Sequence, residues 1–311
     1  MRCPAAHRGS SGLAVRALLL GGALACAACP APPRRAAVVA PVVAASASIA
    51  TAPVSLGLGG RAPLARVGER FTYRIELQGV ELAEYIVEVG AAPRGVEAGA
   101  AALEVRSVAR SVGVGALLKK VETQFISTMD PQTGRSLRFR SEERAGRRDA
   151  TIERSDARIA ELRDGVVPVL VRRGDGATAP ETVEPQKVRG EVWDLNAVMI
   201  ALRQLEAPLG ARLELESFRS RYVWRTVLTV GKRELLTTDL GRVPTVRLDG
   251  WGHGLRRDGE LNDEPERRFS LWISDDADRV PVLLVGVTDY GDIRMEITSY
   301  VPPGDERGTR D

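Results

Sequence analysis

The chain has only three cysteines, Cys3, Cys26 and Cys29, all close to its start. The rest of the sequence therefore has no disulfide frame, no thiolate metal site and no cysteine nucleophile. Histidine is almost as scarce, because beyond His7 only His253 is present. A metal centre of paired imidazoles is excluded, and any Ser-His-Asp triad or histidine general base has to use that single residue. The body contains no G-x-G-x-x-G, P-loop, H-E-x-x-H or G-x-S-x-G motif and no paired-carboxylate signature. These absences leave no recognisable enzyme class and imply neither a cofactor nor a metal.

An excess of one charge is missing too. The chain has 44 basic and 41 acidic residues, and Arg2, Arg8 and Arg16 belong to the leading segment. Without those three the charges balance, whereas a nucleic-acid binder concentrates a basic excess on one face; no nucleic-acid partner is expected. At 44% hydrophobic and 27% charged residues, the chain has the composition of a globular protein able to bury a substantial core.

The apolar run from Ala17 to Ala25 follows that basic start and is too short to cross a bilayer as a helix. It has the form of a secretory signal. The run closes as Ala23-Leu24-Ala25-Cys26, which resembles the lipobox of bacterial lipoproteins. Residues 1–25 are thus expected to be a signal peptide and Cys26 the lipid attachment site. Each buried methylene of an acyl chain contributes about 0.8 kcal/mol, so two chains would hold the protein at a membrane. The alternative is cleavage elsewhere in the Ala-rich stretch, which gives a soluble periplasmic protein. Ala27, where an aspartate would signal inner-membrane retention, resembles outer-membrane lipoproteins and implies an outer-membrane anchor. Residues 26–63, rich in Ala and Pro, are expected to be a disordered linker, and residues 303–311 a disordered tail.

From residue 64 to 302 the dominant signal has a period of two. Phe71, Tyr73, Ile75 and Leu77 alternate with Thr72, Arg74, Glu76 and Gln78. Val121 to Met129 repeats the pattern, and the turn Asp130-Pro131-Gln132-Thr133-Gly134 leads into Leu137 and Phe139. Leu213 and Leu215, then Tyr222, Trp224 and Leu228, then Ile293, Met295 and Ile297 continue it. Such alternation describes strands with one dry and one wet face, as in antiparallel sheets. One segment differs: Leu195, Val198, Met199, Leu202 and Leu205 follow helical spacing, with Asp194 as a cap and Pro208 and Gly210 as a stop. The expectation is a single, mainly β domain: a large antiparallel sheet of about a dozen strands, curved as a half-barrel or sandwich, with one amphipathic helix packed on it. Val166 to Arg189 reads as a long loop, and Trp224 as core.

The opening Val67-Gly68-Glu69-Arg70-Phe71-Thr72-Tyr73-Arg74-Ile75, the turn Met129 to Gly134, the helix Asp194 to Leu205 with Pro208-Leu209-Gly210, and the closing Leu271-Trp272-Ile273-Ser274-Asp275-Asp276 to Arg279-Val280-Pro281-Val282 form an ordered set. It resembles exported bacterial proteins grouped as domain of unknown function 3108, over most of residues 64 to 301. The resemblance implies export and a β-rich fold. It brings no catalytic residues.

Three places invite a functional reading. Gly250-Trp251-Gly252-His253-Gly254 reads as a mobile loop in which Trp251, His253, Arg256 and Arg257 are possible ligand contacts, by stacking and charged hydrogen bonds. Asp275, Asp276 and Asp278 crowd one segment as a calcium loop does, but lack the glycine and distal glutamate of an EF-hand and read as a turn. Arg135, Arg138, Arg140, Arg144, Arg147 and Arg148 concentrate positive charge on one hairpin, diluted by Glu142, Glu143 and Asp149. The leading expectation is a cell-envelope lipoprotein whose β module binds an apolar or lipid-like ligand without catalysis. An envelope scaffold or polysaccharide-export accessory acting through protein partners is the alternative, followed by a glycan-modifying enzyme using His253.

Overall fold

A computed structural model describes residues 62–93, 102–146, 151–174 and 179–304. The expected signal peptide, Cys26, nearly all of the linker, Arg147, Arg148 and most of the tail lie outside these residues.

The chain begins as an antiparallel meander: β1 (Arg70–Leu77), β2 (Val80–Ala91) and β3 (Leu103–Ser111), a short helix α1 (Gly113–Leu118), then β4 (Val121–Met129), β5 (Ser136–Ala145) and β6 (Thr151–Ala157). Short strands follow: β7 (Val166–Val167), β8 (Val169–Arg173), β9 (Glu181–Val183), β10 (Gln186–Lys187) and β11 (Val192–Asp194). Helix α2 (Leu195–Leu202) leads into β12 (Arg212–Arg219), β13 (Tyr222–Thr238), β14 (Gly241–Gly254), β15 (Arg267–Ser274), β16 (Pro281–Thr288) and β17 (Gly291–Val301). The stretch from Val166 to Arg189 is therefore more than a loop, because its described residues include four short strands. Val167, Val169 and Val171 alternate into the core, while Pro168 merely separates two short strands.

Fifteen strands form one sheet, in the order β11-β12-β13-β14-β15-β16-β17-β1-β2-β3-β4-β5-β6-β8-β9. β7 and β10 pair separately. Every strand pair is antiparallel except β11 with β12. No backbone pairing closes the sheet into a barrel among the described residues.

The two core clusters reveal how the sheet curls. On β4, Phe125 and Met129 share a face, since alternate residues point the same way; Phe125 belongs to the smaller cluster and Met129 to the larger. On β13, Val223 and Leu228 point to opposite faces, with Val223 in the smaller cluster and Leu228 in the larger. β11 repeats this split between Val192 and Trp193. The β11–β13 edge is thus covered on both faces: one looks into the curl, and the other lies under the wing formed by β5, β6, β8 and β9. The sheet overlaps itself as a rolled page does.

Helix α2 sits inside the roll against β3, β4, β11 and β12. Asp194 caps it, accepting from the Ala197 backbone N–H at 2.9 Å, as the sequence implies. The buried face differs from the expected stripe: Asn196, Ala197, Ile200, Ala201 and Leu202 are buried, while Leu195, Val198 and Met199 are half-buried. A helix enclosed on several sides has no single wet stripe. Beyond a register shift at Val230/Arg233, the long β13–β14 hairpin carries on until Asp239 at its tip pairs with Arg74 of β1 at 3.0 Å, on the far side of β15, β16 and β17.

Candidate functional site

Trp251 and His253 lie on β14, not on a mobile loop. The glycines flanking them serve packing. A side chain at Gly250 would collide with Leu228 and Phe269, and one at Gly254 would press on the Asn262 amide. His253 is half-buried, and its Nε2 lies 3.0 Å from the Asn262 carbonyl oxygen. A carbonyl only accepts, so Nε2 carries the proton and donates. Arg256 and Arg257 follow in the exposed turn after β14 but diverge: Arg256 pairs with Asp258 at 3.6 Å, whereas Arg257 reaches Glu184 at 2.7 Å.

Glu184 is the centre of an ion network that no sequence spacing announces. Its carboxylate also accepts from Arg173 and Arg221, each at 2.7 Å, and Glu153 pairs with Arg173 at 3.1 Å and Arg221 at 3.0 Å. Arg221, Glu153 and Glu184 are all buried. The Arg173 guanidinium is held above its usual pKa chiefly by its hydrogen bond to Glu184. These residues come from the wing, from the turn between β12 and β13, and from the loop after β14, so the network clamps the overlap. Its carboxylates are fully engaged with arginines.

Asp194 is a buried carboxyl whose titration is perturbed. Burial pushes its pKa up, while hydrogen bonds from Ser127 Oγ at 2.6 Å and the Ala197 amide pull it back in part. Perturbed carboxyls often mark active sites. Here the group is fully buried, and helix capping accounts for its position.

The remaining candidates are absorbed by local structure. Asp276 Oδ1 accepts from Ser274 Oγ and from the amides of Asp278 and Arg279, and Asp275 pairs with Arg233 and Arg279. No group of three or more metal-ligating side chains occurs among the described residues. On the hairpin, Arg138 grips Asp156 with two hydrogen bonds, Arg140 meets Glu104 at 3.6 Å, and Arg135 meets Glu191 at 2.8 Å. A shallow groove of about 340 Å³ runs across the outer face of the wing past Ile126, Leu170, Arg154 and Arg172. Its charges pair within it, Arg154 with Glu142 and Arg172 with Glu181.

Trp224, read from sequence as core, is half-buried, with the Arg219 guanidinium 5.4 Å from its ring centroid. Burial lowers the Arg219 pKa to about 10. Leu228 is buried on β13 as expected, and Val223, Arg225 and Val227 are buried on the opposite face, with Arg225 bonded to Glu216 at 2.9 Å.

Exposed apolar side chains gather at one end of the roll. Val80 begins β2, Val114, Leu117 and Leu118 belong to α1, and Tyr290 lies in the turn between β16 and β17; each is at least 46% exposed. The ends meet because Leu77 pairs with both Val80 and Ile293, and Gln78 Nε2 donates to the Tyr290 carbonyl at 2.7 Å.

Comparison with known proteins matches the family model for protein of unknown function DUF3108 to residues 72–298. The chain belongs to that family. Among solved structures, a β-barrel-like protein of domain of unknown function DUF1849 from Brucella abortus is similar at 14% identity and TM-score 0.44, with 77% of this chain and 97% of that one covered. A candidate exported protein with YmcC-like fold from Bacteroides fragilis is similar at 6% identity and TM-score 0.32, covering 78% of this chain and 100% of that one. A candidate lipoprotein from Parabacteroides distasonis is similar at 6% identity and TM-score 0.32, over 78% and 99% of the two chains. No curated protein matches.

Proposed function

We propose that this DUF3108 protein is a non-enzymatic module of the bacterial cell envelope, held to the outer membrane through Cys26 and working by its outer surface. The folded unit runs from residue 64 to 302 and rides on the Ala/Pro-rich linker. The observation that carries the reading is the filled interior. Phe71, Tyr73, Met129, Trp193, Ile200, Leu228 and Ile297 occupy the inside of the roll, each at most 3% exposed. Side chains buried this deeply favour a packed interior over an enclosed apolar cavity. The lipid-carrier expectation needs a hollow roll, so it finds no support in this interior, and the reading that works through the outer surface is favoured instead.

Two measurements test this. Mass spectrometry of the mature protein should find a diacylated Cys26 at the N-terminus, and a free N-terminus elsewhere would remove the anchor. Native purification followed by lipid extraction should recover no stoichiometric lipid beyond the anchor. A tightly held lipid would restore the carrier reading.

A further inference from the structure

The apolar end of the roll is built to protrude. α1 joins β3 to β4, and Gly115 seats it on β2, where any Cβ would overlap the Leu82 carbonyl. The Val112 amide donates to that same carbonyl at 2.9 Å, and the Lys119 amide closes the helix onto the Gly115 carbonyl at 2.9 Å. With the glycine face turned inward, Leu117 and Leu118 stand outward at 74% and 51% exposure. Lys119 and Lys120 follow directly, both exposed and neither in an ion pair among the described residues. The acids flanking this end along the chain are Glu81, beside Val80, Glu122, which is paired with Arg110 at 3.4 Å, and Asp289 and Asp292 around Tyr290, the former 3.3 Å from Arg267.

We infer that this end is a second membrane contact: Val80, Val114, Leu117 and Leu118 enter the headgroup layer of an anionic phospholipid bilayer, with Lys119 and Lys120 at the phosphates. Three arguments favour a bilayer over a protein. A stable protein interface takes about 800 Å² and 20–30 residues from each partner, and a narrow apolar tip supplies far less. Leucines followed by lysines match the layered chemistry of a membrane surface, because lysine stems lie along the apolar zone while the ammonium groups stay at the headgroups. The tip can also reach a membrane from a chain anchored at Cys26. The folded unit is entered at the opposite end, near Ala62, and strands of this length span about 40 Å. The stretch between Cys26 and Ala62 is long enough to bridge at most on the order of 100 Å. The inference rests on the envelope reading above, which supplies the membrane.

Vesicle flotation tests it with a chain that starts at Ala27. That chain lacks the signal segment that directs acylation and keeps both core clusters, which lie between Ala65 and Ile297. It should float with phosphatidylglycerol vesicles and much less with phosphatidylcholine vesicles. L117E/L118E should lower binding roughly tenfold or more, and K119E/K120E should lower it on anionic vesicles alone. Unchanged circular dichroism would show that both variants are folded. Absent binding, equal binding to the two lipids, binding indifferent to L117E/L118E, or self-association through α1 would each overturn the inference. None of these outcomes depends on acylation, so a failed anchor and a failed tip are told apart.

Discussion

Arg203, just past the end of α2, and Glu69, just before β1, form a bidentate ion pair with Nη–Oε distances of 2.9 and 3.0 Å, and both side chains are at most 2% exposed. Further polar groups nearby join in. Arg203 also donates to the Asp278 carbonyl at 2.8 Å, Tyr300 Oη donates to Glu69 at 3.0 Å, and the Phe71 ring lies under the guanidinium at 5.3 Å. Burial, followed by the charge of Glu69, pushes the Tyr300 phenol up. A buried ion pair stabilises only when such satisfaction is complete. This one joins the helix inside the roll to its first and last strands.

Removing one partner leaves an uncompensated buried charge, so Arg203→Met should destabilise the protein by roughly 3–5 kcal/mol in urea unfolding. The double variant R203M/E69L, apolar on both sides, should recover much of that loss. A double variant as unstable as the single one would refute this account of the pair.

Asp194 gives a pH signature. Burial raises its pKa in the folded state above the ordinary carboxylate value. A raised folded pKa means that the native state binds the proton more tightly than the unfolded one. Its contribution is therefore full below the unfolded pKa and is lost as pH rises through the folded pKa. Asp194→Asn keeps a good cap without the titration. Wild-type stability relative to this variant should fall with rising pH across that window, and a flat difference would contradict the assignment.

The clamp at Glu184 should be local in its effect. Arg221→Met should cost roughly 3 kcal/mol, because it leaves buried Glu153 and Glu184 short of a cation. Hydrogen exchange should accelerate first in β6 and β8, with β1 and β2 unaffected under mild conditions. Uniform acceleration would mean that the wing does not open separately.

Gly115 is predicted to tolerate no side chain. Gly115→Val should displace α1 from Leu82, lowering the melting temperature by several degrees and raising exchange at β2. A variant as stable as the wild type would show that α1 is not seated by close backbone approach.

Strands were the most legible part of the chain. Phe71, Tyr73 and Ile75 are buried on one face of β1 as the alternation requires, and Ile293, Met295 and Ile297 do the same on β17. Errors arose where both faces of a strand are covered. On β13 the visible aromatics Tyr222 and Trp224 suggested one face, but Val223, Arg225 and Val227 pack under the wing. Arg225 looked wet by residue type; only its pairing with Glu216 makes it compatible with burial. Near Ser136, a register shift opposite Thr128 and Met129 leaves Leu137 half-buried while Phe139 is buried. The tip at α1 drew no notice from sequence, since six residues are too few for a periodic signal.

Family, β architecture, the capped helix and the scarcity of histidine and cysteine were all determined by the linear sequence, because alternation, capping and composition are local properties. The overlap of the sheet, the filled roll, the clamp at Glu184 and the protruding leucines were decided only by tertiary structure. Each depends on residues far apart in the chain meeting across a curl, and neither the direction nor the extent of a sheet's curl is written in the period of its strands.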